Sequence, residues 1–210
     1  MPRFAWREFL TEWSREVLQY PEFMEDFMIG EALFYVSDEL FGIQSPPGQP
    51  QDWLGYPSAT EAQIAAAEER LETVLPPSYR EFLAVSNGWR GLTDGVDHLY
   101  STAEVDWFRV READVIALNL AYSDPCTEEQ YLTYDEHNEA VHDCYRSAYL
   151  QTALQISTRK WAVRDIWMLN PQVVTPEGEW EAWHDTGHEG VYPKKVRGRK
   201  KGYPPKGHGR

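Results

Sequence analysis

The stretch LETVLPPSYREFLAVSNGWRG, residues 71–91, sets two prolines between two runs of helix-favouring residues and closes the second run with Asn-Gly. Pro76 and Pro77 are predicted to end the first helix, because neither can donate a backbone N–H and each disfavours the α region for the residue before it. Ser78 then caps a second helix, and Asn87-Gly88 supplies the left-handed residue that ends it. The stretch therefore predicts a helical corner that supports a fold, rather than a catalytic elbow or a phosphate-binding loop.

The residues on both sides of the prolines show helical periodicity. Thr60 is a good N-cap, and Gln63 stands three residues later, where it completes a capping box. Glu81 has the same spacing from Ser78. Apolar side chains recur every three or four residues, which predicts one buried face for each helix. The first face comprises Ile64, Ala67, Leu71 and Leu75, and the second comprises Tyr79, Phe82, Leu83 and Ser86.

Residues 1–44 are predicted to form an N-terminal helical extension. Within it, residues 4–19 and residues 23–41 each favour a helix. The inward face of the first of these helices is expected to carry Phe9, Leu10, Trp13 and Val17.

Three further parts follow the extension. Residues 45–52, SPPGQPQD, are predicted to form a proline-rich linker. Residues 53–190 are predicted to form the main domain. Residues 191–210 form a basic segment that lacks apolar periodicity and is expected to be disordered.

The second half of the main domain favours short strands. Residues 98–100 and 105–110 are β-prone, and residues 111–137 predict an acidic loop region with a helical turn. A helix is expected near residues 139–153. Strands are predicted at residues 153–157, 165–170 and 180–184, with a tight turn at PEGE before the last of them. Helices packed on a small, mostly antiparallel sheet define an α+β fold class, with the helical extension at the N-terminus.

Charge is distributed unevenly along the chain. Residues 191–210 contain eight Lys and Arg and no Asp or Glu, whereas residues 1–190 contain 12 basic and 34 acidic side chains. Such an acidic body repels nucleic acid and anionic membranes, and it attracts basic proteins over long range. Nucleic acid is therefore disfavoured as a partner except through the basic segment. Solubility alone is the other explanation for the acidic surface.

The cysteines and the hydropathy of the chain indicate the cellular compartment in which it is expected. Cys126 and Cys144 form neither a disulfide framework nor a metal-knuckle spacing, which indicates a reducing environment. The N-terminal residues lack the apolar core of a signal peptide, and no run approaches the roughly 18 apolar residues of a membrane span. A soluble, cytoplasmic protein without a membrane partner is expected.

Motifs for catalysis or metal binding are weak. The sequence contains no dinucleotide-binding or phosphate-loop glycine motif and no GxSxG elbow. His137 and His142 are five residues apart, which places them on different faces of a helix. His184 and His188 stand in a glycine-rich segment that would hold ligand geometry poorly. No catalytic residue, metal site or cofactor is expected, and the protein is predicted not to be an enzyme.

The remaining functional candidate is a surface that binds another protein. Aromatic anchors with an acidic rim are typical of a surface that binds a basic protein. The opposing interpretation is that the aromatic residues fill the core and the acids are only solvated. The candidate partner-binding residues are Trp89, Asp94, Asp97, Asp106, Trp107, Glu128, Glu129, Tyr131 and Tyr134.

Residues 54–92, especially ATEAQIAAAEERLETVLPPSYREFLAVSNGW, resemble the opening of the SUKH superfamily, the Smi/Knr group of cell-wall regulators and bacterial toxin-immunity proteins. The resemblance rests on the Thr-Glu helix start, the Leu-Pro-Pro-Ser-Tyr corner, the Phe82-Leu83 pair and the Asn87-Gly88-Trp89 stop. Similar segments lie at residues 150–157 and 166–183, in the order expected for the family.

The resemblance implies an α+β domain with a helical layer against a sheet, and a non-enzymatic binding role. Its implied partner is a cognate bacterial toxin with a basic, nuclease-like enzyme domain, which an immunity protein neutralises by docking. A regulatory scaffold of the cell-wall assembly type is the alternative.

One departure from the family pattern lies after Trp183. The family continues through an aromatic-rich strand into an Arg-Tyr-x-Ser-Phe helix, whereas residues 184–210 retain only a Pro and a Tyr of that pattern. A frameshifted or truncated C-terminus is one expectation. The missing helix would then leave core surface exposed, at a cost to stability.

Overall fold

The computed structural model describes residues 4–19, 53–93, 96–121, 127–132, 146–158, 166–185 and 194–196. Helices lead the order of elements and strands dominate its end, so the predicted α+β class is confirmed. The helices are α1 (Trp6–Gln19), α2 (Glu61–Leu71), α3 (Pro77–Val85), α4 (Phe108–Arg111), α5 (Ala113–Leu120), α6 (Glu128–Leu132) and α7 (Ser147–Leu150). The strands are β1 (Trp89–Thr93), β2 (Val96–Leu99), β3 (Asp106–Trp107), β4 (Leu154–Gln155), β5 (Ile166–Val174), β6 (Trp180–Asp185) and β7 (Lys194–Val196).

The strands form two antiparallel sheets. β1 and β2 make a two-stranded sheet, and the other strands make a five-stranded sheet in the order β3-β4-β5-β6-β7. β5 and β6 form the longest pair, in register at Met168 and Trp183, and a turn with Gly178 at positive φ joins them. This turn is the predicted PEGE turn.

α2 begins as predicted and ends earlier than predicted. The Thr60 hydroxyl accepts a hydrogen bond from the Gln63 N–H, and the Gln63 side chain accepts one from the Thr60 N–H, which completes the capping box. The helix stops at Leu71 because Glu72 adopts a left-handed conformation with φ 53°. The two prolines follow this stop and do not cause it. A left-handed glutamate carries no sequence signal, since glycine or asparagine usually occupies that position.

α3 also differs from the prediction at its start. Pro76 is the N-cap and Pro77 is the first helical residue, a position that tolerates proline because its N–H would be unpaired anyway. Ser78 is therefore inside the helix and is not its cap. The N–H and the hydroxyl of Ser78 both donate to the carboxylate of Glu179, at 3.0 and 2.6 Å. A side chain from the β5–β6 turn thus satisfies the first turn of α3.

The exit of α3 is tied to three other segments. The hydroxyl of buried Ser86 accepts from the Tyr56 N–H at 2.9 Å and donates to the Gly88 carbonyl at 2.5 Å. The side-chain oxygen of Asn87 accepts from the Thr102 N–H at 2.8 Å. Gly88 has φ 99°, which confirms the predicted left-handed residue, although it stands between the helix and β1.

The core consists of two clusters of buried side chains. The predicted inward residues of α2 and α3 lie in the first cluster, except Ala67 and Ser86, which are also buried. The second cluster lies between the short helices and the five-stranded sheet. Its members are Phe108, Ile116, Tyr131, Tyr149, Leu150, Ala153, Ile166, Met168 and Trp183.

α1 is a helix as predicted, but a different face is buried. Leu10 lies in the first core cluster, and buried Ser14 accepts a hydrogen bond from the Leu54 N–H at 3.2 Å. Phe9 and Trp13 are 47% and 37% exposed, and their rings stack on each other. The predicted inward face was therefore wrong for these two residues, because a serine hydrogen bond to the main domain sets the rotation of the helix.

Several other segments differ from their predictions. β3 covers only two residues of the β-prone run 105–110, and the chain then turns into α4. Residues 111–137 contain α5 and α6 rather than a single helical turn. Within the basic segment, residues 194–196 form β7, so this part of it is not disordered as predicted. The predictions for residues 23–41, 45–52 and 197–210 fall outside the described residues, as do residues 139–145 of the predicted helix at 139–153. In the described part of that prediction, the helix is the four-residue α7.

Among the helices of the described residues, none combines the length and the apolar character that crossing a membrane requires.

The space around Gly88 generates a stability prediction. A Cβ on Gly88 would lie 2.8 Å from the Leu99 carbonyl oxygen, in addition to the strain of a positive φ. We expect Gly88→Ala to lower the free energy of unfolding by about 3 kcal/mol. Gly178→Ala is the matched control, because its φ is also positive but its Cβ would meet Pro77 at an ordinary 3.8 Å. It should cost about 1 kcal/mol. Equal losses for the two variants in urea unfolding would contradict this account.

Candidate partner-binding groove

A groove lies where the start of α3 faces the β5–β6 turn. It has a volume of about 560 Å³. That is within the range of about 300–1,000 Å³ seen for ligand sites. The lining residues are Val74, Leu75, Pro77, Arg80, Glu81, Val174, Gly178 and Trp180. Two segments about a hundred residues apart in the chain therefore build its two walls.

The Glu179 carboxylate holds the two walls together. It accepts from the N–H and the hydroxyl of Ser78, and a carboxylate at a helix N-terminus also interacts favourably with the helix dipole. Gly178, the neighbour of Glu179, packs against the ring of Pro77. A charge-assisted contact between Glu179 and Ser78 thus joins the turn to the start of the helix.

Arg80 shapes the α2 side of the groove. Its guanidinium donates to the carboxylates of Glu61 and Glu68, both on α2. The hydrogen bond to Glu68 is the principal cause that raises the pKa of Arg80 above its ordinary value. Glu68 also accepts from the Leu75 N–H at 2.8 Å. Arg80 is therefore held by two acids, which offset its positive charge.

The groove combines an apolar surface with an acidic surround. Val74 is 73% exposed and Val174 is 51% exposed, while Trp180 is half-buried between the groove and the first core cluster. The segments that build the groove, residues 72–81 and 174–180, contain four glutamates and Arg80 as their one basic residue. Such a surface suits apolar side chains flanked by Lys or Arg.

Two of the aromatic residues predicted to contact a partner lie in the core instead. Trp89 is buried, and its ring meets the Trp53 ring edge-on at 5.0 Å. Tyr131 is buried in the second core cluster. Neither ring is available for direct contact, because large aromatic side chains are what fills the interior of both clusters.

The other predicted partner-binding residues lie on two separate elements. On β3, Trp107 is half-buried and lies under the guanidinium of Arg109, at 5.0 Å, while Asp106 is 4.0 Å from Arg70. Exposed Glu128 and Glu129 begin α6, and Glu128 accepts from the Tyr149 hydroxyl at 3.0 Å. The side chain of Asp97 on β2 is not described, and Asp94 and Tyr134 fall outside the described residues.

A polar network below α6 was missed by the sequence prediction. The Tyr131 hydroxyl donates to Glu181, the Trp183 indole N–H donates to the Tyr131 oxygen at 2.9 Å, and the Asn170 amide donates to Glu181 at 3.0 Å. Burial, followed by the negative charge of Glu181, raises the pKa of Tyr131 far above its ordinary value. The hydroxyl therefore stays protonated and acts as a donor within the core.

Metal chemistry has little support in the described part of the chain, where no group of three or more His, Cys, Asp or Glu side chains is placed to hold an ion. His184 stacks on Trp167 with ring centroids 4.7 Å apart. The residues from Asp135 to Cys144 and His188 fall outside the described ranges.

The sequence prediction also missed the groove itself. Val74 was the available signal, since it falls outside the buried face of α2 and directly precedes the corner. Its partner Val174 lies a hundred residues later, and no local pattern links the two.

Comparison with known proteins gives one match. Residues 58–186 match the sequence model of the SMI1/KNR4 family (SUKH-1). No curated protein and no solved structure matches the chain significantly.

Removal of the carboxylate that joins the groove walls should be measurable. We expect Glu179→Ala to lower the free energy of unfolding by about 1–2 kcal/mol, because Ser78 loses the acceptor for two hydrogen bonds. Glu177→Ala, an exposed neighbour in the same turn, is the control and should change stability by less than about 0.5 kcal/mol. Indistinguishable urea midpoints for the two variants would show that the contact contributes nothing.

The buried tyrosines predict a loss of stability at alkaline pH. Burial raises the pKa of Tyr131 and of Tyr79 in the folded state above the value of about 10 for an unfolded tyrosine. The folded chain therefore binds more protons above pH 10, so the stability these groups contribute is present below pH 10 and is lost as pH rises further. Each fully shifted tyrosine adds a slope of about 1.4 kcal/mol per pH unit.

Urea unfolding between pH 8 and pH 11.5 measures this slope. Tyr131→Phe removes one titrating group, so the free energy of unfolding should fall less steeply above pH 10, by about 1.4 kcal/mol per pH unit. This change in slope is expected whatever the variant does to stability at pH 8. An unchanged slope in Tyr131→Phe would contradict the assignment.

Proposed function

The chain belongs to the SMI1/KNR4 family (SUKH-1), and from this membership we propose that it is a non-enzymatic immunity protein that binds and neutralises a cognate bacterial toxin. The family match covers α2, α3 and both sheets as far as β6, and it includes both segments that build the groove. Members of this family include toxin-immunity proteins and cell-wall regulators, both of which act by binding.

We infer a basic partner from the net negative charge of residues 1–190. Residues 1–190 hold 34 acidic and 12 basic side chains. An acidic protein of this kind is attracted to a basic enzyme domain, such as that of a nuclease, and steering raises the association rate well above that of a neutral pair. The negative charge of this chain is of the same sign as that of nucleic acid, the substrate of a nuclease. The chain would therefore be attracted to the same basic surface of the nuclease as the substrate is.

The groove is the proposed docking site on this acidic surface. Its exposed valines and half-buried Trp180 supply apolar contact area, and buried apolar contacts at the centre of an interface contribute most of the affinity. Glu81 in the lining and the other three glutamates of the same two segments supply the complementary charge. Asp106, Trp107, Glu128 and Glu129 remain additional proposed contacts, because their side chains are exposed or half-buried on β3 and α6.

A regulatory scaffold of the cell-wall assembly type is the alternative function. The family resemblance implies both classes, and an acidic groove would equally bind a basic segment of an assembly partner. The two functions differ in whether binding abolishes an enzymatic activity of the partner.

Binding and inhibition can be measured together. The partner to use is the protein encoded beside this chain, as a purified domain, and the measurements are its affinity for this chain, its activity and its effect on growth. We expect a tight complex that weakens with added salt, loss of the partner's activity, and growth protection by co-expression. Binding without inhibition would favour the scaffold, and no binding together with no protection would contradict the immunity function.

Substitutions in the groove locate the interface. Val74→Asp and Val174→Asp should each weaken the complex at least about tenfold, or about 1.4 kcal/mol, because each places an unpaired charge on the apolar contact. Val110→Asp is the matched control, since Val110 is 63% exposed on α4 and does not line the groove. Its affinity should stay within about twofold of the wild type. Equal effects of the three substitutions would place the interface elsewhere.

A further inference from the structure

The register of β7 gives the direction in which the chain leaves the five-stranded sheet. β7 pairs antiparallel with β6, with Lys194 opposite His184 and Val196 opposite Ala182. As residue numbers rise along β7, their partners on β6 fall toward Trp180. At roughly 3.3 Å per residue, an extended chain would need two more residues beyond Val196 to come level with Trp180, which lines the groove.

The segment that follows, residues 197–210, is complementary to the groove in charge. It carries six Lys and Arg and no Asp or Glu. The groove-building segments carry four glutamates, and their one arginine is held by Glu61 and Glu68. A strongly basic segment thus follows a strand that runs toward an acidic groove.

The same segment also carries an apolar element. Tyr203, Pro204 and Pro205 stand between Lys201 and Lys206. A tyrosine ring and two prolines can cover the exposed side chains of Val74 and Val174, and proline limits the entropy lost on docking. Fourteen extended residues span at most about 50 Å, which is ample to cross the groove from Trp180.

We propose that residues 197–210 dock in the groove of their own chain, with Tyr203-Pro204-Pro205 on the valines and the flanking Lys and Arg against the glutamates. Tethering beside the groove gives the segment an effective concentration of about millimolar, so a weak contact is enough for substantial occupancy. A partner that uses the groove must then displace the segment. Only this regulatory consequence rests on the proposed function, since the docking itself needs no partner.

Disulfide trapping tests the docking directly. In the full chain with Cys126→Ser and Cys144→Ser, Val174→Cys is combined with Tyr203→Cys and mild oxidant is added. Val110→Cys with Tyr203→Cys is the matched control, because both valines are exposed but only Val174 lines the groove. We expect the groove pair to form a disulfide within one chain at least about tenfold faster than the control, and the difference to shrink in high salt.

The other occupants of the groove would give different results. A disulfide that forms mainly between chains, at a rate that depends on protein concentration, would assign the groove to a second copy and overturn the proposal. Equal rates for the groove pair and the control pair would show that the segment does not dock, and would also overturn it.

A peptide competition provides a second, independent measurement. The probe is a fluorescent peptide of residues 197–210, and its anisotropy reports binding to the native full chain and to the chain with Arg199→Glu, Lys200→Glu and Lys201→Glu. The charge-reversed chain should bind the peptide at least about tenfold more tightly, since its own segment no longer competes. Adding Val174→Asp to that chain should abolish this binding. Equal peptide affinity for the native and the charge-reversed chains would overturn the proposal without bearing on toxin binding.

Discussion

The hydroxyl of Ser86 is the polar group on which the arrangement of the domain most depends. It is buried, it accepts from the segment before α2, and it donates to the backbone that enters β1. A buried hydroxyl is stable only when it is paired, so each of these segments is confined to the position that pairs it. The helical corner, the β1–β2 sheet and the segment around Tyr56 are thereby held in one orientation.

Local signals explain what the sequence could predict. The capping box at Thr60, the buried faces of α2 and α3 and the turn before β6 all depend on residues within a few positions of one another. Distant residues decided the predictions that were wrong. Glu179 replaces Ser78 as the capping partner of α3, and the bond from Leu54 to Ser14 rotates α1. Hydrophobic periodicity contains no information about either contact.

The candidate site shows the same difference between local signals, which the sequence reveals, and contacts between distant residues, which it does not. The sequence predicted an acidic recognition surface with aromatic anchors, but burial assigns Trp89 and Tyr131 to the core. The groove instead relies on two exposed valines and a half-buried tryptophan from segments that meet only after folding. Aliphatic residues on a surface are individually unremarkable, and only their juxtaposition across the corner and the β5–β6 turn makes them a contact area.

The contact between Ser78 and Glu179 has a consequence for synthesis of the chain. The two residues are 101 positions apart. At a translation rate of about 5–20 residues per second, α3 is synthesised roughly 5–20 s before its acceptor. During that interval the N–H and hydroxyl of Ser78 lack this acceptor, while the preset φ of Pro77 still favours the start of the helix. The corner therefore belongs to a late step of maturation, and a nascent chain stalled before residue 179 would present an unfinished groove to chaperones.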